Sequence, residues 1–158
     1  MLSDGNHLEP VVDLNTTDPL QVAYDEGYFF VTSVSNSEIV RISAFTGEQK
    51  KIPTVGIPSG IAVRNKEIYY TGITIPGSGK VYKMSVTGEN NTVLHALDSG
   101  YGIALSSDKL YVGSLYDIIS MGLDGRNYQV LSIYGGWGLA YCEACPPGNM
   151  IDYILISF

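Results

Sequence analysis

Three features of the sequence predict an all-β chain assembled from repeated four-stranded antiparallel units. A short apolar strand carrying Gly and Ala recurs through the 158 residues, an aromatic follows it at a fixed distance, and each period contains a hairpin turn ending in Gly. Four short strands per unit, repeated about every 40 residues with Thr-Gly or Asp-Gly turns, is the pattern of β-propeller blades. The expected fold is a β-propeller segment of about three to four blades, an incomplete ring.

The apolar strand opens each unit. It reads Val22-Ala23, Gly60-Ile61-Ala62-Val63, Gly102-Ile103-Ala104-Leu105 and Gly138-Leu139-Ala140-Tyr141, with the alanines 39, 42 and 36 residues apart. Continuous apolarity with small residues suits the crowded strand beside the central channel, where neighbouring backbones come close. Seven residues after the first three alanines stand Phe30, Tyr69 and Tyr111, each opening a second strand: Phe30-Val31-Thr32-Ser33, Tyr69-Tyr70-Thr71-Gly72 and Tyr111-Val112-Gly113-Ser114.

The third strand runs from a β-branched residue (Val40, Val81, Ile118) to a turn pair, Thr46-Gly47, Thr87-Gly88 or Asp124-Gly125. Five residues beyond each of these glycines, Ile52, Val93 or Val130 marks the fourth strand. Length variation falls between the second and third strands, where Ile75-Pro76-Gly77-Ser78-Gly79 reads as a loop. A β-sandwich would share this strand content, but three landmarks recurring in register favour the propeller.

The repeat divides the chain into residues 1–18, 19–57, 58–99, 100–135 and 136–158. The first is expected to supply outer strands of a preceding blade, because Leu2-Ser3-Asp4-Gly5 followed by Val11-Val12 repeats Gly122-Leu123-Asp124-Gly125 followed by Val130-Leu131. The next three are one blade each, and the last begins a further blade with an irregular tail. There the register fails, since Pro147 stands seven residues after Ala140; Ile151-Asp152-Tyr153-Ile154 is the candidate for a displaced second strand.

Composition narrows the function. Hydrophobic residues make up 45% of the chain, enough for a real core, while 16 Asp plus Glu against 9 Lys plus Arg give a formal net charge of -7. A nucleic-acid or anionic-membrane partner would want a basic face, and neither is expected. Twelve Tyr and eighteen Gly favour strands and tight turns. No apolar run approaches the ~20 residues of a membrane-spanning helix, and Met1-Leu2-Ser3-Asp4-Gly5 has no signal-peptide character. Cys142 and Cys145 are too few for a disulfide framework.

Met121-Gly122-Leu123-Asp124-Gly125-Arg126-Asn127-Tyr128-Gln129-Val130-Leu131 resembles the strand-turn-strand of YWTD repeats, the class B repeats of low-density-lipoprotein-receptor propellers. Ile57-Pro58-Ser59-Gly60-Ile61-Ala62-Val63 is similar to that family's Trp-Pro-Asn-Gly-Leu-Ala-Leu-Asp strand, and Tyr69-Tyr70-Thr71-Gly72 stands where Tyr-Trp-Thr-Asp would be. The resemblance covers roughly residues 2–141 and is partial. Ser33, Gly72 or Ser114 replaces the motif aspartate, and Arg64, Ser106 or Cys142 replaces the aspartate after the first strand. Before the first-strand Gly, the family's Asn is Ser59, Tyr101 or Trp137. The resemblance implies a six-bladed, extracellular, ligand-binding domain without catalysis. This chain would then be an open arc, needing missing blades or self-association to cover its ends.

His7 and His95 are the only histidines; His95 follows Val93-Leu94 and reads as an exposed or packed side chain, so no catalytic base is expected. A gluconolactonase-like propeller, a metal-dependent hydrolase, is the enzymatic alternative, but the channel-mouth positions Leu20-Gln21, Ser59, Tyr101 and Trp137 carry no carboxylate. Neither metal nor cofactor is expected. Cys142-Glu143-Ala144-Cys145 lacks the second pair of a zinc site, and Pro146-Pro147 forbids the helix of a redox site. A local disulfide or two idle thiols remain as its readings.

Gly77-Ser78-Gly79 is followed by strand rather than helix and is no phosphate loop. Asn15-Thr16-Thr17 and Asn90-Asn91-Thr92 are N-glycosylation sequons, meaningful in a secreted chain. The expected ligand-binding residues are Tyr101, Trp137, Tyr134 and Ser59 at the channel mouth, where aromatics anchor a protein or peptide ligand. Packing between blades is the competing role for the same aromatics.

Overall fold

The computed structural model describes residues 18–75, 78–132, 138–141 and 154–157. It is an all-β propeller segment, and its described residues contain no helix. The first blade is β1 (Pro19–Asp25), β2 (Tyr28–Ser33), β3 (Glu38–Ser43) and β4 (Gln49–Pro53). The second is β5 (Ile57–Arg64), β6 (Glu67–Ile75), β7 (Ser78–Ser85) and β8 (Thr92–Leu97). The third is β9 (Gly100–Leu105), β10 (Lys109–Ser114), β11 (Ile118–Gly122) and β12 (Gln129–Ser132). A strand pair, β13 (Gly138–Tyr141) with β14 (Ile154–Ser157), follows.

Each blade is an antiparallel meander in chain order, so its first and fourth strands form its edges. Ala23, Ala62 and Ala104 all lie on first strands, paired with Phe30, Tyr69 and Tyr111. The first strands pack on one another in series, β1 on β5, β5 on β9 and β9 on β13. They form the inner rim, and β4, β8 and β12 form the outer one.

Turn chemistry explains the meander. The hairpins β1–β2 and β5–β6 close through two residues with positive φ, Glu26-Gly27 (44° and 85°) and Asn65-Lys66 (52° and 64°), the geometry whose twist matches paired strands. In the turns between third and fourth strands, Gly47, Gly88 and Gly125 stand at φ 70°, 92° and 81°, where a Cβ would be strained. That requirement is why a Gly recurs in the sequence at each of these turns. Between β6 and β7 the chain stays paired out to Ile75 and Ser78, so strand replaces most of the loop expected over 75–79. The second strand of the last pair is Ile154–Ser157, beginning where the segment expected from sequence ends.

Two apolar layers join the blades. Phe30, Ile39 and Ile52 of the first blade pack on Ile61, Ile68, Tyr70, Tyr82 and Met84 of the second. Tyr69 and Val81, on the opposite face of the second blade, pack on Ile103, Leu110, Val112, Ile119 and Met121 of the third. Strand periodicity places alternate residues of each blade on opposite faces, so every middle strand is apolar on both sides. This accounts for continuous runs such as Ile68-Tyr69-Tyr70 and Leu110-Tyr111-Val112, all buried.

Tyr70 and Tyr82 stack with ring centroids 4.9 Å apart and planes 11° from parallel. Their hydroxyls differ in kind. The Tyr70 hydroxyl accepts hydrogen bonds from the Val55 N–H (3.1 Å) and the Asn91 side-chain amide (2.8 Å). The Tyr82 hydroxyl is buried with no partner among the described residues. Removing a buried hydroxyl is costly only where it strands its partners. Tyr70→Phe is therefore expected to lose about 1–3 kcal/mol in urea unfolding. Tyr82→Phe is expected to be neutral or stabilising by up to about 1 kcal/mol; equal losses in both would contradict this assignment.

Candidate functional site

In an antiparallel blade, the start of the first strand, the end of the second and the start of the third lie at one end. Residues there come from the connections β4–β5 and β8–β9 and from β2–β3 and β10–β11. Leu20, Ser59 and Tyr101 occupy equivalent positions, each three residues before the inner-strand alanine. They border the inner rim at this end.

The backbone of these positions is held by a repeated hydroxyl bridge. Thr71 Oγ1 accepts the Gly60 N–H (2.7 Å) and donates to the Tyr101 carbonyl oxygen (3.3 Å). One blade earlier, Thr32 Oγ1 accepts the Gln21 N–H (2.9 Å) and lies 3.3 Å from the carbonyl oxygens of both Gln21 and Ser59, either of which can take its proton. Each threonine is fully buried, two residues beyond the aromatic paired with the inner-strand alanine; the second strands themselves begin two residues before that aromatic, at Tyr28 and Glu67, rather than at it. Each links the first strand of its own blade to that of the next. The approach it spans is tight: a Cβ on Gly60 would lie 2.2 Å from the Tyr101 carbonyl oxygen. In the first blade Gln21 takes the place of that glycine, and its side-chain oxygen accepts the Ile61 N–H (3.3 Å).

Of the residues expected to bind ligand, Tyr101 is half-buried on β9. Ser59 is only 5% exposed, so its contribution is the carbonyl that receives Thr32 rather than an accessible side chain. Trp137 and Tyr134 lie outside the described residues, as do Asn15, His7, Cys142 and Cys145. Asn90 is exposed in the β7–β8 turn at φ 56°, at the opposite end of the blades. His95 is half-buried and stacks on Tyr128, with centroids 4.5 Å apart and planes at 18°. Among the described residues no three acidic, His or Cys side chains converge on a metal-sized site.

Sequence reasoning missed a groove of 230 Å³ between the second and third blades. It is lined by Ala96, Leu97 and Asp98 at the end of β8, by Ser114 and Asp117 around the β10–β11 connection, and by Tyr128. Ser114 pairs with Gly100, which puts these connections at the same end as Tyr101. The Ser114 hydroxyl accepts the N–H groups of Tyr116 (3.2 Å) and Asp117 (3.0 Å) and donates to the Asp117 carboxylate. Partial burial, reinforced by the Asp117 charge, raises the Tyr128 phenol above its ordinary range. A signal was present in the sequence: acidic residues at 98 and 117 on two connections that the repeat places at one end.

No family model matches the sequence, and no curated protein matches it. Solved structures do. A chain from a crystal structure of a nidogen/laminin complex is 15% identical, with TM-score 0.77 over 86% of this chain and 57% of that one. A gluconolactonase from Xanthomonas campestris is 18% identical, with TM-score 0.60 over 72% of this chain and 48% of that one. The computationally designed Ika4 protein is 14% identical, with TM-score 0.59 over 96% of this chain and 99% of that one. At these identities the likeness is one of fold. The chain spans little more than half the length of the nidogen/laminin chain and about half that of the gluconolactonase.

The threonine bridge makes the mouth rigid at a measurable cost when removed. Thr71→Val keeps the shape but strands the Gly60 N–H and the Tyr101 carbonyl, and should lower unfolding free energy by about 1–3 kcal/mol, with Thr71→Ser restoring much of it. A change within about 0.5 kcal/mol for Thr71→Val would show the bridge to be dispensable.

Proposed function

We propose that this chain is a non-enzymatic, extracellular, YWTD-like propeller segment that binds a protein or peptide ligand at the end of the blades carrying Tyr101 and Trp137. The observation that carries this reading is a set of exposed apolar side chains at this end. Leu20, Val55, Ile57, Ile75, Leu115 and Tyr116 are exposed there, on strand starts, strand ends or connections, while Tyr24, Tyr28 and Phe45 are exposed at the opposite end. Exposed apolar side chains beside a groove are the kind of surface that protein contacts use. The groove beside them supplies the Tyr128 phenol and two carboxylates, Asp98 and Asp117, which complement a basic side chain on the ligand.

The likeness to a chain of a nidogen/laminin complex supports a role in protein contact. The likeness to a gluconolactonase keeps metal-dependent lactone hydrolysis as the alternative that the experiment must separate. Extracellular placement draws on the YWTD resemblance and on the exposed sequon at Asn90.

Peptides selected from a random displayed library against the full chain provide the test. Tyr101→Ala and Trp137→Ala are each expected to weaken the selected peptides at least about tenfold while leaving the melting temperature nearly unchanged. Asn90→Gln, at the far end, should bind as the parent does. Equal affinity across the three variants, or lactone hydrolysis abolished by a chelator, would overturn the reading. Expression through a secretory pathway adds a second check. Asn90 should carry a glycan, read as a mobility shift that an endoglycosidase removes and that Thr92→Ala diminishes; no shift attributable to Asn90 would count against the extracellular assignment.

A further inference from the structure

The groove between the second and third blades carries negative charge that the chain's own Lys and Arg leave unpaired. All nine of them lie among the described residues, and none forms an ion pair with Asp98 or Asp117. The ion pairs lie elsewhere, Lys51 with Glu38, Lys83 with Glu67 and Arg126 with Asp124. On the face of β7 turned to the third blade stand Gly79, Val81 and Lys83, the last committed to Glu67 and to the Tyr69 ring.

An aromatic wall stands beside the carboxylates. His95 lies opposite Val81 and stacks on Tyr128 of the third blade, with centroids 4.5 Å apart and planes at 18°. The stack fixes the Tyr128 ring across the blade boundary and covers one of its faces, yet Tyr128 is still 42% exposed. Leu97, packed on the apolar layer shared with the third blade, adds an aliphatic wall. At 230 Å³ the groove falls below the roughly 300–1,000 Å³ of pockets that enclose drug-sized molecules, and it suits a single inserted side chain.

A fixed aromatic ring, an aliphatic wall and two carboxylates without a counter-ion match a side chain with an apolar stem and a flat cationic head. Arginine has both. Its guanidinium stacks on aromatic faces, carries five N–H donors in a fixed fork and is more weakly hydrated than an ammonium. A lysine offers a point charge with no plane to lay on the ring. Asp117 already accepts the Ser114 hydroxyl, and the two oxygens of a carboxylate keep capacity for further donors. We propose that this groove is an arginine subsite, in which a guanidinium of the ligand lies against the Tyr128 ring and donates to the Asp98 and Asp117 carboxylates. The inference rests on the reading that this end of the blades binds a protein or peptide, and it names the side chain that such a ligand inserts.

Titration of the full 158-residue chain with N-acetyl-arginine amide, followed by the NMR signals of the Tyr128 and His95 rings, tests it. Saturable shifts with a dissociation constant in the millimolar range are expected, and added salt should weaken the binding. The citrulline amide, which keeps the shape without the charge, should bind at least about tenfold more weakly, and the lysine amide at least about threefold. Asp98→Asn, at an exposed position, should weaken the arginine amide about three- to tenfold with the melting temperature unchanged. Tyr128→Leu should remove the preference for arginine over lysine. Absence of saturable shifts, equal binding of the citrulline amide, or an Asp98→Asn variant that binds as the parent does would overturn the proposal. Selected peptides weakened by Tyr101→Ala but not by Asp98→Asn would overturn the subsite and leave the binding reading standing. Binding of the arginine amide with no peptide selected at the mouth would overturn that reading and leave the subsite.

Discussion

The close approach of consecutive first strands is the constraint on which the rest of the structure depends. At Gly60 the second and third blades come so near that a single methyl would meet the Tyr101 carbonyl oxygen. At that separation no water fits between the strands, and a buried backbone N–H without a partner would be costly. Thr32 and Thr71 meet this demand with one atom each, accepting from their own blade and lying within donating distance of a carbonyl of the next. A threonine suits the position because its methyl fills apolar space while its hydroxyl serves both partners. Where the third blade has Gly113 instead, that side-chain bridge is absent.

With the inner rim set, the placement of everything else follows from wedge geometry. Blade faces meet near the axis and spread outward, so middle strands are buried on both sides while β8 and β12 keep Val93, Val130 and Leu131 exposed. Strand β4 carries Lys50, Lys51 and Pro53, which discourage edge-to-edge pairing. The stacked Tyr70 and Tyr82 fill the widening space between the first two blades, and Asn91 with Val55 ties the Tyr70 hydroxyl to the β7–β8 turn and the mouth connection. A single side chain thereby couples the two ends of the wedge.

The same construction leaves the mouth free to vary. The bridge holds the backbone at Ser59 and Tyr101 through carbonyl oxygens, which every residue possesses. The residue type at these positions is therefore not fixed by the bridge, and it differs between blades: Leu20, Ser59 and Tyr101. Connections carried on a rigid scaffold are where side chains can vary without loss of the fold. The groove between Asp98, Asp117 and Tyr128 follows the same logic, since connections from adjacent blades meet there without taking part in the apolar layers.

Most of the fold was legible in the sequence because propeller blades are locally closed problems. Strand alternation, an aromatic seven residues after an alanine, and glycines that must adopt positive φ are all short-range demands, and they recur as visible periodicity. Tyr101 was legible as a mouth residue for the same reason, by its offset from Ala104. What only the tertiary structure decided lies between blades. Ser59 and Tyr101 hold equivalent sequence positions, yet one is buried and the other half-buried. The groove unites residues from two blades whose separation in sequence hides their adjacency. Ile61 and Ile103 are buried because residues of the preceding blade lie over them, while Val22 at the equivalent position is exposed, a difference that no local pattern encodes.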